Sequence, residues 1–222
     1  MIRLSEIDKY VESRYQRVFI LKGINLEIKQ GEFLSIMGPS GSGKSTLLNI
    51  IGLLDQASAG TYYFEDEPVH LFNERRKSQL HKEHIGFIFQ AYHLIDELTV
   101  YENIETPLLY RGVKKKERAS LVADMLDRFQ IVAKKDLYPD QLSGGQQQLV
   151  GIARAIIGRP RLLLADEPTG NLHSGQGEQV MNILRELHSE GMTVVHVTHN
   201  ETFAGYGSRI LRLEDGMIRT TP

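Results

Sequence analysis

Residues 33–46 read FLSIMGPSGSGKST, and they are the most informative segment for the fold of this chain. The first five residues predict a short buried strand, a glycine-rich loop follows, and a helix is predicted over residues 44–54. The spacing Gly-x4-Gly-Lys-Ser matches the phosphate-binding loop motif in full, between a strand and a helix as the motif requires. The glycines let backbone N–H groups surround a phosphate chain, and the helix start adds its positive dipole end. We therefore expect Lys44 to reach β- and γ-phosphates and Ser45 to bind Mg²⁺.

A second motif supplies two adjacent carboxylates. Residues 162–167 read LLLADE, so a buried strand ends directly at Asp166 and Glu167. Ligands of parallel sheets bind at the carboxyl ends of the strands. Asp166 is then placed to complete the Mg²⁺ site begun by Ser45, and Glu167 to orient or deprotonate an attacking water. An acidic helix N-terminus could explain the two carboxylates alone, but not their presence beside a complete phosphate loop.

The two motifs together indicate a phosphate-loop NTPase with an α/β fold. Strands alternate with helices along the chain, which predicts a mostly parallel sheet with helices on both faces. Alternating apolar residues in the first 64 positions predict a flanking antiparallel β-subdomain. The clearest run keeps period two through Gly23, with Val18, Ile20, Ile24, Leu26 and Ile28 on one apolar face. Residues 91–150 are interpreted as a helical subdomain inserted into the α/β core, which comprises residues 1–90 and 151–222. The whole range 1–222 is expected to form a single nucleotide-binding domain.

Composition limits the possible partners. The 222 residues carry a net charge of −2 and no cysteine, which disfavours nucleic acid as a partner and excludes disulfides and thiol catalysis. The first residues lack the apolar run of a secretory signal. The most apolar stretch covers eight residues, 47–54, whereas a membrane span needs about 20. We therefore expect a cytoplasmic chain that reaches the membrane only through a partner.

Residues 142–146 read LSGGQ, and here the sequence resembles the ATP-binding cassette (ABC) family. The pentapeptide is that family's signature, and it precedes a predicted helix whose N–H groups can bind an anion. The family's other elements follow its order along the chain: phosphate loop, Gln90, signature, the pair Asp166 and Glu167, then His199. The resemblance covers essentially the whole chain.

The resemblance implies a composite site built by two copies of the chain. In the family, two nucleotide domains dimerise head to tail, and each ATP lies between one phosphate loop and the partner's signature. Gln90 then corresponds to the glutamine that senses Mg²⁺ and the attacking water, and His199 to the histidine that contacts the γ-phosphate. The implied catalytic residues are Glu167, His199 and Lys44, and the implied Mg²⁺ ligands are Ser45, Gln90 and Asp166. The implied ATP-contacting residues are Gly38, Pro39, Ser40, Gly41, Ser42, Gly43, Lys44, Ser45, Thr46, Gln90, Ser143, Gly144, Gly145, Gln146 and Tyr10.

The residue that stacks on adenine is left open by the sequence. The family usually supplies an aromatic ring from the first hairpin, and Tyr10 is the nearest candidate. Counting back from Leu21 by the expected spacing gives Val11 instead, and Tyr15 is a third option.

Two positions depart from the family pattern. His173 stands where the family has Asp, in a loop that crosses the dimer interface, and Leu149 stands where Arg is common. We hypothesise that hydrolysis survives the change at His173 while coupling between the two ATP sites is altered. The hypothesis is wrong if the hydrolysis rate and the ATP cooperativity of His173→Asp both stay at the wild-type values between pH 6 and 8.

The function implied by the resemblance is ATP hydrolysis that drives a separate membrane permease. Residues 86–104 and 144–148 resemble the branch that serves lipoprotein release, macrolide or peptide export and cell-division permeases. Two alternatives remain: a soluble ABC ATPase without a transporter, and an ATP-gated scaffold with low turnover. Soluble members usually carry two cassettes or a long coiled-coil insertion, which this chain lacks.

Overall fold

The computed structural model describes residues 1–12 and 16–219, so Tyr15 lies outside the described residues. Its centre is a six-stranded sheet in the order β10-β9-β3-β8-β7-β6. β10 pairs with β9 in the antiparallel sense, and the other neighbours are parallel. The strands are β3 (Phe33–Met37), β6 (Ile85–Ile88), β7 (Leu162–Asp166), β8 (Thr193–Thr198), β9 (Arg209–Glu214) and β10 (Met217–Arg219). The predicted parallel α/β sheet is confirmed.

A four-stranded antiparallel sheet flanks this core in the order β2-β1-β4-β5. Its strands are β1 (Ile2–Glu12), β2 (Arg17–Ile28), β4 (Ala59–Phe64) and β5 (Glu67–Pro68). The period-two pattern of β2 changes phase at Gly23, where φ is +53° and the register with β1 shifts. Leu21 is therefore buried, whereas Val18, on the predicted apolar face, is 53% exposed. The bulge is the reason that the uninterrupted alternation expected from the sequence is wrong before Gly23.

Seven α-helices occur within the described ranges. They are α1 (Lys44–Ile51), α2 (Glu74–His84), α3 (Val100–Tyr110), α4 (Lys115–Arg128), α5 (Gly144–Ile156), α6 (Ser174–Ser189) and α7 (Glu201–Ala204). Residues 100–129 contain two of these helices, α3 and α4, because the chain turns at Gly112, where φ is +69°. α2 was not predicted, since Leu80 is its only buried residue. The usable signal was Asn73, whose side chain caps the helix by accepting from the Arg76 N–H.

Two apolar cores lie on opposite faces of the six-stranded sheet. Along β7, Leu162 and Leu164 join one core while Leu163 joins the other. β3, β6 and β8 are buried along their full length, as expected for parallel strands covered on both faces. In the second core, α3 packs on α5, and α5 runs without a break across residue 150. The division into core and helical subdomains at that residue stays a prediction.

None of the helices that the structure describes is long and apolar enough to span a membrane.

Candidate functional site

The loop between β3 and α1 is shaped by glycines that no larger residue could replace. Gly43 has φ +98°, and a Cβ there would lie 2.9 Å from the Ile20 carbonyl oxygen. A Cβ at Gly38 would lie 2.0 Å from the Leu213 carbonyl oxygen. Both contacts are far inside van der Waals distance, so the loop fits its place only with glycine at these two positions.

Lys44 folds back over the loop that it follows. It is 7% exposed, and its Nζ donates to the carbonyl oxygens of Gly38 at 2.9 Å and Pro39 at 2.8 Å. An ammonium group has three donors, so one remains for an anion in the loop. The lysine therefore adds a fixed positive charge to the N-terminal end of α1, where the helix dipole also favours an anion.

Ser45 and Asp166 bring two oxygen ligands together across the sheet edge. Ser45 Oγ donates to Asp166 Oδ1 at 3.0 Å. Burial raises the pKa of Asp166, and the neighbouring Glu167 charge adds to the rise, while the Ser45 hydrogen bond and Lys44 oppose it. Hydroxyl and carboxylate oxygens are ligands that Mg²⁺ prefers, so this pair fits the ion. Among the described residues, no group of three or more His, Cys, Asp or Glu side chains could hold a metal ion.

Glu167 and His199 form a second pair beside the oxygen atoms of Ser45 and Asp166. His199 Nδ1 lies 2.9 Å from Glu167 Oε1. The backbone turns sharply at Glu167, with φ +45°, and its N–H donates to the Val197 carbonyl at 3.0 Å. The Glu167 side chain is 14% exposed and that of His199 is 68% exposed. The strand ends therefore present a shielded carboxylate and an accessible imidazole side by side.

Gln90 follows β6 and is attached to the loop after β7. The Asn171 side chain donates to the Gln90 carbonyl at 3.0 Å, and Gln90 Nε2 donates to Asn171 Oδ1 at 3.4 Å. Asn171 was not predicted from the sequence, because nothing local indicates a contact between positions 81 residues apart.

These groups line one cavity of about 650 Å³, which we call the cleft. It lies at the carboxyl ends of the parallel strands, the edge at which ligands of such sheets bind. The cleft is lined by Ile20, Ser40, Gly41, Gly43, Lys44, Ser45, Thr46, Gln90, Glu167 and His199. Asp166 joins it through Ser45, whereas Gly38, Pro39 and Ser42 shape the loop without lining the cavity.

The signature lies apart from the cleft. Ser143 caps α5, and it exchanges hydrogen bonds with Gln146 in a capping box. A Cβ at Gly144 would lie 2.7 Å from the Tyr92 hydroxyl oxygen, and one at Gly145 would lie 2.6 Å from Gln176 Nε2. None of these signature residues lines the cleft of its own chain. A role for them at a phosphate therefore requires a second copy.

The hairpin β1-β2 contributes Ile20 to the cleft rather than Tyr10. The Tyr10 ring packs on Phe19 at 5.3 Å, and the Arg17 guanidinium lies 4.9 Å from its centre. Val11 is 57% exposed on the same hairpin. The choice of adenine-stacking residue stays a prediction. Ile20 is a further cleft residue, which was not predicted because β2 changes phase at Gly23.

The two departures from the family pattern have different surroundings. His173 is exposed and occupies the N-cap position of α6 without a side-chain capping bond. Leu149 is half-buried on α5 and packs against the second core. An apolar residue at position 149 is thus explained by burial.

Comparison with known proteins places the chain in a family. The ABC transporter family profile matches residues 21–170. The chain is 44% identical over 222 residues to the macrolide export ATP-binding/permease protein MacB of Escherichia coli strain K12, and spans 34% of that protein's length.

Solved structures of other ATP-binding cassettes are also similar to this chain. The dimeric ATP-binding cassette MJ0796, bound to ADP and Pi in a post-hydrolysis state, is 40% identical with a TM-score of 0.92, covering 99% of this chain and 97% of that one. The cassette cbiO1 from Clostridium perfringens, part of the ABC transporter complex cbiONQ, is 27% identical with a TM-score of 0.86, covering 99% and 86%. The chain belongs to the ABC transporter family and has the fold of its ATP-binding cassettes.

Proposed function

We propose that this chain binds ATP and hydrolyses it to ADP and phosphate as the motor subunit of an ABC transporter. The observation that carries the proposal is the cleft itself. It gathers a lysine-bearing phosphate loop, the Ser45–Asp166 oxygen pair and the Glu167–His199 pair at one sheet edge. The similarity to a cassette bound to ADP and Pi supports the same assignment.

The loop is proposed to hold the phosphates. Its backbone N–H groups and the start of α1 favour an anion, and Lys44 supplies the matching charge at the β- and γ-phosphates. Ser45, Asp166 and Gln90 are the proposed Mg²⁺ ligands of this chain. When bound, the ion would neutralise charge on the β- and γ-phosphate oxygens.

Glu167 and His199 are proposed to act on the water and the γ-phosphate. Glu167 directly follows the carboxyl end of β7, and its contact with His199 orients its carboxylate. Glu167 can therefore accept a proton from a water that attacks in line. When both of its nitrogens carry a proton, the exposed His199 ring can donate to Glu167 with Nδ1 and to a γ-phosphate oxygen with Nε2. Both groups are therefore assigned to hydrolysis rather than to nucleotide affinity.

A second copy of the chain is proposed to complete the site. Ser143, Gly144, Gly145 and Gln146 stand at the start of α5 and do not line their own cleft. Facing the phosphate loop of a partner copy, the same helix start would present N–H groups to the γ-phosphate. The solved MJ0796 cassette is dimeric, which supports a homodimer that closes on ATP.

An integral membrane permease is the second proposed partner. MacB carries an ATP-binding and a permease function in one protein, of which this chain matches 34%. A cavity of about 690 Å³, here called the groove, shares no lining residue with the cleft, and the exposed Leu54, Ile95 and Tyr110 line it. Exposed apolar side chains in a groove suit an amphipathic segment of a permease, which would hold the chain at the cytoplasmic side of the membrane. The transport class that we propose is export of a substrate or mechanical work on a substrate in the membrane. Nucleic acid is not among the proposed partners.

The test is phosphate release by the purified chain with Mg-ATP. We expect measurable turnover in the wild type, and at least a hundredfold loss in Lys44→Ala. The control Arg185→Ala, an exposed α6 residue outside the cleft and the groove, should stay within twofold of the wild type. ATP binding without turnover would instead favour the ATP-gated scaffold. Failure to co-purify with an integral permease from membranes would favour a soluble ABC ATPase.

A further inference from the structure

The loop that carries Gln90 has an unusual backbone. Tyr92 and His93, two and three residues after it, have φ of +61° and +47°. Residues other than glycine rarely adopt this conformation, and two in succession need support from outside the loop. Within the loop the backbone offers little: the Tyr92 N–H donates to Phe89 at 3.3 Å and the His93 N–H to Ala91 at 2.6 Å.

Arg154 of α5 supplies that support. Its Nη1 donates to the His93 carbonyl at 2.7 Å and its Nη2 to the Tyr92 carbonyl at 3.0 Å. The guanidinium is half-buried, and it forms no ion pair with any carboxylate in residues 1–12 and 16–219. A planar fork can hold two carbonyls at fixed spacing, which an ammonium group does less well. Both carbonyls held are those of the residues with positive φ.

The same loop touches the start of α5. A Cβ at Gly144 would lie 2.7 Å from the Tyr92 hydroxyl oxygen, and one at Gly151 would lie 3.6 Å from the Tyr92 carbonyl oxygen. Tyr92 therefore runs along α5 from the signature to the turn before Arg154.

The loop also connects two cavities. Gln90 lines the cleft, whereas His93 and Arg154 line the groove. The Asn171 side chain also holds Gln90, because it donates to the Gln90 backbone carbonyl. A displacement of α5, or of whatever occupies the groove, would therefore reach Gln90 through the two Arg154 hydrogen bonds.

We propose that Arg154 is a positioning residue that ties the Gln90 loop to α5, so that groove and cleft change together. The proposal rests on the proposed ATPase function and adds a route of regulation to it. Arg154 contacts neither the phosphate loop, residues 38–45, nor the pair formed by Glu167 and His199. Its loss should therefore lower turnover at saturating ATP while leaving the affinity for ATP nearly unchanged.

The experiment compares Arg154→Gln with the wild type by steady-state ATP hydrolysis and by hydrogen exchange of the amides in residues 90–95. We expect kcat to fall at least fivefold, KM to stay within twofold, and exchange of these amides to rise at least tenfold. Arg154→Lys keeps the positive charge without the planar guanidinium, so its kcat and its amide exchange should lie between those of the wild type and Arg154→Gln. Arg185→Gln is the matched control on another helix and should change neither readout.

The proposal is overturned if exchange in residues 90–95 stays within twofold of the wild type in both Arg154 variants. It is also overturned if exchange rises while kcat is unchanged, or if KM rises as much as kcat falls. If Arg154→Gln does not fold, Arg154→Lys decides the question, with an expected rise in exchange of at least threefold. If the wild type hydrolyses no ATP, the proposed function fails, and the exchange measurement alone shows whether Arg154 holds the loop.

Discussion

His196, in the middle of β8, makes the stability of the fold depend on pH. The side chain is 0% exposed, and its neighbours across the sheet are the small residues Ser35 and Ala165. Its Nδ1 lies 3.5 Å from Ser35 Oγ, and Nε2 has no partner in the described part of the chain. Burial lowers the pKa of His196 from 6.5 to about 4. The ring is therefore neutral in the folded protein at physiological pH.

The sign and size of the effect follow from proton linkage. Below pH 6.5 the unfolded chain takes up a proton at this histidine, whereas the folded chain does not until about pH 4. Protons thus favour the unfolded state, and stability falls as the pH falls from 6.5 to 4. With these two pKa values, the contribution of His196 to the free energy of unfolding drops by about 2 kcal/mol between pH 7 and pH 5.

The assay is urea unfolding at pH 7 and pH 5 for the wild type and for His196→Gln. The variant is expected to be less stable at pH 7 because a packed ring is lost, yet to lose about 2 kcal/mol less than the wild type on acidification. Carboxylates titrate in both proteins, so the difference between the two losses isolates His196. The exposed His173 gives the control, and His173→Gln should behave as the wild type does. If the wild type and His196→Gln lose the same free energy of unfolding between pH 7 and pH 5, within about 0.5 kcal/mol, His196 does not cause the pH dependence.

Three further predictions concern the loop, the groove and the departure at position 173. Gly38→Ala should reduce ATP affinity at least tenfold in a binding titration, because its Cβ would collide with a carbonyl at 2.0 Å; Gly175→Ala, where nothing lies within 4 Å, should not. Arg111→Ala should lower the free energy of unfolding by about 3 kcal/mol, because Arg111 donates to the carbonyls that end two helices; Arg185→Ala should cost under about 0.5 kcal/mol. His173→Asp should raise the free energy of unfolding by about 1 kcal/mol by capping α6, and an unchanged value in urea unfolding would contradict this. The same variant should change ATP cooperativity, and unchanged ATP kinetics would contradict altered coupling between the two sites.

The sequence predicted the parts of the site that local motifs encode. The phosphate loop and the two carboxylates follow from residue types at fixed spacing, and their placement at one sheet edge follows from parallel topology. Gln90 and His199 could be placed only through the family resemblance, and the structure brings both into the cleft. The catalytic and ligand roles of all these residues stay predictions.

Contacts between distant segments could not be predicted. Arg154 meets Tyr92 across 62 positions, and Asn171 meets Gln90 across 81, with no local pattern to mark either contact. The helix α2 was not predicted from the sequence because its single buried apolar residue, Leu80, gives no periodicity. The place of Ile20 in the cleft depends on the bulge in β2, which shifts the alternation on which strand predictions rely.

The Glu167 carboxylate is proposed to activate the attacking water in a site that a second copy completes. The variant Glu167→Gln, studied by phosphate release and by light scattering with ATP or ADP present, tests this proposal. We expect a loss of turnover of at least a hundredfold, retained ATP binding, and a stable dimer with ATP but not with ADP. A variant that turns over ATP as the wild type does, or that stays monomeric with bound ATP, would contradict it.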